Sequence, residues 1–169
     1  MLDITKIKVG DLISYHNRIL KVKSLKKGML VGIPVYKKKK DSGLIFNIPT
    51  ENIKNLNVRN LYTKKVINDL LKTISEDLPK ELVHFELSED HVSKMSLEEI
   101  IVAIKGLCDE KVARENSLPT SKSRKLNLFI QVFAEELGAI VNLSKEDAIE
   151  KVKSRVDKRK KSLEKKTEE

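Results

Sequence analysis

The sequence predicts an α+β chain built from two units in series. A small β-barrel is expected over residues 1–60, an all-α bundle of four or five helices over 61–157, and a charged tail over 158–169. Three observations lead there. Up to Ile48 the apolar residues recur at strand spacing and are punctuated by turn formers; from Thr63 they recur at i, i+3, i+4, i+7. Between the two regimes lies Ile48-Pro49-Thr50-Glu51-Asn52-Ile53-Lys54-Asn55-Leu56-Asn57-Val58-Arg59. Pro49 cannot donate to a sheet ladder, so it marks a strand end or an edge. Asn52, Asn55 and Asn57 form turns, and Ile53, Leu56 and Val58 can anchor them to a core, so the stretch reads as a strand exit.

In the first unit, Lys6 to Asp11 opens a strand that Leu12, Ile13 and Tyr15 continue, and His16-Asn17-Arg18 turns it. Ile19, Leu20 and Val22 form the second strand, with Lys21 and Lys23 on its other face. Lys26-Lys27-Gly28 is the next turn, and Met29 to Tyr36 returns. Asp41-Ser42-Gly43 is a hairpin turn before Leu44 to Ile48, with Gly43 available for positive φ. Some five short strands at about 8–12-residue spacing point to a small barrel rather than an open sheet. The run Lys37 to Lys40 reads as a solvated hairpin tip that discourages edge-to-edge pairing.

In the second unit, Thr63 caps a helix bearing Val66, Ile67, Leu70, Leu71 and Ile74, which ends near Pro79. Lys80 to Met95 carries a weaker helical pattern with Leu82, Val83 and Phe85. Ser96-Leu97-Glu98-Glu99 is a capping box ahead of the apolar run Ile100 to Leu107. After the break at Leu118 to Ser121, residues Leu126, Phe129, Ile130, Phe133, Leu137, Ile140 and Val141 trace the most regular helix in the chain. Ser144 caps the last one, whose stripe is Ala148, Ile149, Val152 and Val156. From Asp157 on, the charge density predicts a fraying helix end or a disordered tail.

Apolar content is 40% but aromatics are 4% and Trp is absent, so the cores must be aliphatic. No apolar run approaches the ~18 residues of a membrane span. No short apolar segment with a cleavage-like site follows Met1, and the chain reads as cytoplasmic. Cys108, the single cysteine, lies in an apolar helical stretch and reads as a buried structural thiol. The +9 net charge is uneven: residues 1–60 hold 13 Lys+Arg against 4 Asp+Glu, 61–150 hold 12 against 17, and 151–169 hold 9 against 4. A basic β unit points to nucleic acid or an acidic protein surface.

Catalytic patterns are missing from the sequence. His16, His84 and His91 show no metal-ligand spacing, the six glycines are spread singly, and no nucleophile–base arrangement is visible. The expectation is a protein that is not an enzyme and needs no metal or cofactor.

Three segments, in order, resemble the CarD/CdnL/TRCF family of bacterial RNA polymerase-binding transcription regulators. Lys8-Val9-Gly10-Asp11 with Tyr15 is similar to the family's opening strand. Ile48-Pro49-Thr50-Glu51-Asn52, followed by Val58-Arg59, resembles its Val-Pro-x-Glu-Asn turn and later Val-Arg. Leu118 to Val141, with Arg124, Leu126, Glu136 and Leu137, resembles its long penultimate helix and the loop before it, and Ser144 to Val156 its last helix. The likeness spans roughly residues 6–157. It implies a Tudor/SH3-like β unit that docks on the polymerase β subunit, partly by strand pairing. It also implies a helical unit that touches promoter DNA and stabilises the open complex. Two departures stand out: Lys80 to Phe85 holds neither the family's Trp nor its Arg, and Asn47 replaces an Arg before the Val-Pro turn.

Carried onto this chain, the resemblance implies polymerase contact around Lys26, Lys27, Met29 and Asn47. Weak, largely non-specific contact with double-stranded DNA is expected around Lys80, Lys122, Arg124 and Lys125, and the protein is expected to act as a monomer. Lys122, Arg124 and Lys125 fall at a helix start, where side-chain charge and backbone N–H groups both favour phosphate. An RNA- or ribosome-binding accessory protein is the alternative; base stacking there would call on Tyr15, Tyr36 and Phe46.

Overall fold

The computed structural model describes residues 6–36, 43–53, 56–76 and 89–168. Five strands come first: β1 Leu12–Tyr15, β2 Arg18–Lys26, β3 Met29–Pro34, β4 Phe46–Pro49 and β5 Val58–Asn60. Four α-helices follow: α1 Lys64–Thr73, α2 Leu97–Ala113, α3 Thr120–Val141 and α4 Lys145–Glu168. The chain divides into two compact units between Tyr62 and Thr63, two residues beyond the expected boundary.

The strands form one antiparallel sheet in the order β4-β3-β2-β1-β5. Local turn chemistry sets its two tight hairpins. His16 and Asn17 both adopt positive φ (48° and 60°), as do Lys27 and Gly28 (41° and 77°). These two-residue turns match the right-handed twist of the strands they join. One extra residue in β2, at the register shift between Val22 and Ser24, forms a bulge that bends this nine-residue strand. One face of the sheet carries the core: Ile13, Leu20, Val22, Leu30, Ile48 and Val58, with Ile7 and Ile53 added from outside the strands. Gly32 on β3 leaves room for Leu20, whose Cδ1 would lie 3.0 Å from a Cβ placed there.

The expected turn-rich exit is in fact strand, turn and strand. Ile48-Pro49 closes β4, Thr50–Asn52 makes a single 3-10 turn, and Val58–Asn60 becomes β5 against β1. The local sequence does not reveal that pairing, because β5 binds a strand some 45 residues earlier. Among the described residues nothing pairs β4 with β5, so the sheet has two edges.

The helices are capped as the sequence predicts. The Thr63 hydroxyl accepts from the Val66 amide, Ser96 and Glu99 form a reciprocal capping box, and the Ser144 hydroxyl accepts from the Asp147 amide. Asn142, in the left-handed region, turns α3 into α4. Ile67, Leu71, Ile74, Ile100, Ile104, Phe129, Phe133, Leu137, Ala148, Val152 and Val156 are buried in this unit. Among the described residues no single helix is long and apolar enough to cross a membrane.

Of the two expectations for the charged segment from Asp157 on, helix end or disordered tail, the structure shows helix. α4 continues unbroken to Glu168. Arg159 lies buried on its inner face, 2% exposed, with both Nε and Nη2 donating to the Asp109 carboxylate at 2.7 Å. Its Nη1 donates to the Glu76 carbonyl after α1. A buried guanidinium satisfied on three sides holds the helix end where apolar residues run out. The run 37–40, Asp41-Ser42, Lys54-Asn55 and 77–88, including Lys80, His84 and Phe85, lie outside the described residues. The segment just after them, Glu89–Lys94, is a 3-10 helix rather than an α-helix.

Candidate functional site

Three of the four residues expected to meet polymerase lie at one hairpin end. Lys26 pairs with Met29 across the two-residue turn that holds Lys27. Asn47 lies on the neighbouring strand, paired with Val31, two positions from the pair Met29↔Pro49. Leu30 and Ile48 point into the core, so Met29 and Asn47 share the outer face. Lys26, Lys27 and Asn47 are exposed and Met29 is half-buried.

The strand order separates the four residues. β2 and β3 are interior strands, so Lys26, Lys27 and Met29 are not on an edge; only Asn47 is. The Thr50 amide donates to the Gly28 carbonyl at 2.8 Å, which makes Thr50 and Gly28 a hydrogen-bonded pair. Bonded and non-bonded pairs alternate along an antiparallel ladder. Pro49 and Asn47 therefore occupy non-bonded pairs, and the backbone N–H and C=O of Asn47 face away from β3. Pro49 is tolerated because its missing N–H would have pointed to the same free side.

Among the described residues the edge carries little of the usual protection. Leu44 to Pro49 contains no charged residue, and Leu44 and Ile45, just ahead of β4, are exposed at 38% and 47%. Edge strands are ordinarily blunted by charge, bulges or a covering element. Here only Pro49, at the far end, interrupts the row of donors.

The helical patch is thinner than the sequence implies. Lys122 Nζ donates to both carboxylate oxygens of Glu110 on α2, at 2.7 Å each. That bond, with Arg114 adding its charge, holds the Glu110 carboxyl below the usual carboxylate range. Lys122 thus ties α2 to α3, and its charge is largely matched. Lys125 is half-buried and already engaged, while Arg124 is exposed. Lys80 lies outside the described residues.

Sequence reasoning missed the second half of α4 as a candidate surface, because it was read as a fraying helix end or a disordered tail. The signal was present: Val152, Val156, Arg159 and Leu163 extend one helical stripe past the last apolar valine. Cys108 is buried, its thiol directed at the Val156 carbonyl 3.8 Å away. Burial, reinforced by neighbouring Asp109, pushes this thiol up to about 11.

Two of the three rings that stacking would call on, Tyr15 and Phe46, already have partners. Tyr15 meets Phe46 edge to face at 5.7 Å and His16 at 4.4 Å, and the Arg18 guanidinium lies 5.8 Å from the Phe46 ring centre. Among the described residues no group of three His, Cys, Asp or Glu side chains could hold a metal ion. No protein-family model matches the chain, and no curated protein matches it either.

Proposed function

We propose that this protein is a non-enzymatic transcription regulator. Its β unit adds an edge strand to the polymerase β subunit, and its helical unit rests on promoter DNA. The observation that carries the reading is the β4 edge, which no other described strand pairs. The Asn47 N–H and C=O, turned away from β3, sit beside exposed Leu44 and Ile45, with Lys26 and Lys27 at the adjacent hairpin end. An extended partner strand would draw affinity from backbone hydrogen bonds and specificity from these side chains, and the lysines would speed encounter with an acidic surface.

The β unit is read as a Tudor-like, partly open barrel. Support comes from the strand order β4-β3-β2-β1-β5, the 3-10 turn before β5, the bulged central strand and a core drawn from all five strands. The short sequence resemblance to the CarD/CdnL/TRCF family points the same way. Co-purification of the tagged protein from its own cells tests the reading. Polymerase subunits should come down with it; recovery of ribosomal subunits instead would replace the proposal with the RNA-binding one.

A further inference from the structure

We propose that one flank of α4, formed by Lys151, Arg155, Lys158, Lys161 and Lys165, is a contact surface for the phosphate backbone of duplex DNA. It deepens the promoter-contact half of the function proposed above and rests on it. At 3.6 residues per turn, Lys151, Arg155, Lys158 and Lys165 fall within about 80° of one another around the helix axis. Ser154 and Ser162 lie among them and Lys161 at their margin. From Lys151 onward no carboxylate falls in the arc from Lys165 to Arg155; Glu150, Asp157, Glu164 and Glu168 occupy the adjoining sector, about 20–60° beyond Lys161. Four of the five cations are exposed and Arg155 is half-exposed. None of the five forms an ion pair with a described residue.

Helix stability explains only part of this arrangement: Asp147, Asp157 and Glu168 stand one turn from Lys151, Lys161 and Lys165, but Arg155 and Lys158 have no carboxylate at i±3 or i±4. Lys151 and Arg155, and Lys161 and Lys165, are like-charged pairs at i, i+4; Arg155 and Lys158, and Lys158 and Lys161, are like-charged at i, i+3. Such pairs weaken a helix, whereas interspersed carboxylates would have strengthened it. The cost is met by anchoring the helix from its other side. Arg159 is clamped to Asp109 and the Glu76 carbonyl, and Asn116 donates to Glu164 at 3.0 Å. A row of repelling cations held rigid is pre-ordered for a polyanion.

The dimensions fit a duplex. The fourteen helical steps from Lys151 to Lys165 cover about 21 Å. One DNA strand presents a phosphate every ~3.4 Å along the axis, so about six lie within that length. Four of the five cations are lysines, point charges suited to backbone contact rather than base reading. A membrane surface fits less well, because an interfacial helix needs a free apolar face and that of α4 is buried at Ala148, Val152 and Val156.

The test uses the full chain and a fluorescently labelled 20-base-pair duplex, with anisotropy titrations between 50 and 200 mM KCl. With four to five phosphates neutralised, log affinity should fall against log salt at a slope of about −4, a loss of roughly 250-fold across that range. The variant Lys158→Gln, Lys161→Gln, Lys165→Gln should retain the wild-type melting temperature and show a slope of about −1.5. An unchanged slope in this variant, with binding lost instead in Arg124→Ala, Lys125→Ala, would overturn the α4 assignment and leave the DNA reading intact. Wild-type protein that fails to bind duplex at 50 mM KCl would overturn both. Loss of binding to vesicles containing anionic lipid, with duplex binding unchanged, would also overturn it.

Discussion

Replacing Arg159 by alanine probes the continuation of α4 most sharply. The side chain is 2% exposed and makes two charge-assisted bonds to Asp109 and one to the Glu76 carbonyl. Breaking a fully buried pair by removing one partner costs about 3–5 kcal/mol. Asp109, however, is 34% exposed and regains water when the guanidinium is gone. The orphaned Glu76 carbonyl adds about 1 kcal/mol, so the net loss should be about 2–3 kcal/mol. For a unit of this size each kcal/mol is worth roughly 4–5 °C, and the helical melt should fall by about 10 °C. Circular dichroism at 222 nm, followed with temperature, reports this directly. Truncation after Asp157 should lower the melt at least as far. If residues 158–169 were a solvated tail, both variants would melt within about 2 °C of wild type, and that result would refute the reasoning.

Three further outcomes follow from the cores. Gly32→Ala places a Cβ 3.0 Å from Leu20 Cδ1 and 3.1 Å from Leu20 Cβ, so it should destabilise the β unit by about 1–2 kcal/mol, read as a lower urea midpoint. The Cys108 thiol is raised in the folded state to about 11, so folded protein holds its proton where unfolded chain has lost it. Its contribution is intact below the unfolded value near 8.5 and lost as pH rises toward 11; a Cys108→Ala variant should lose less stability over that interval. Iodoacetamide should label Cys108 at pH 8 only after denaturation; rapid labelling of native protein would contradict its burial.

The parts legible in the sequence are those set by local chemistry. Thr63, Ser96 and Ser144 announce helix starts because a cap is made within three residues. His16-Asn17 and Lys27-Gly28 announce hairpins because positive φ is a property of single residues. What was illegible depends on distant partners. Arg159 is an ordinary tail cation until Asp109, 50 residues away, meets it. Lys122 looks like a phosphate ligand until Glu110 neutralises it from another helix. Asn47, unlike Lys26, gains its importance from strand order, which places β4 at the edge and leaves β3 inside.

The docking claim rests on the free backbone of Asn47, and Asn47→Pro addresses it alone. The exchange removes an N–H that faces away from β3 and puts a ring in the path of any incoming strand, so the β unit's own ladder is spared. The measurement is the affinity of wild type and Asn47→Pro for a purified fragment of the polymerase β-subunit lobe, with melting curves of both proteins alongside. The account predicts binding by wild type, at least about tenfold weaker binding by the variant from the lost bond and the blocked approach, and melting within a few degrees. Equal affinity of the two proteins, or no binding by wild type, would contradict it.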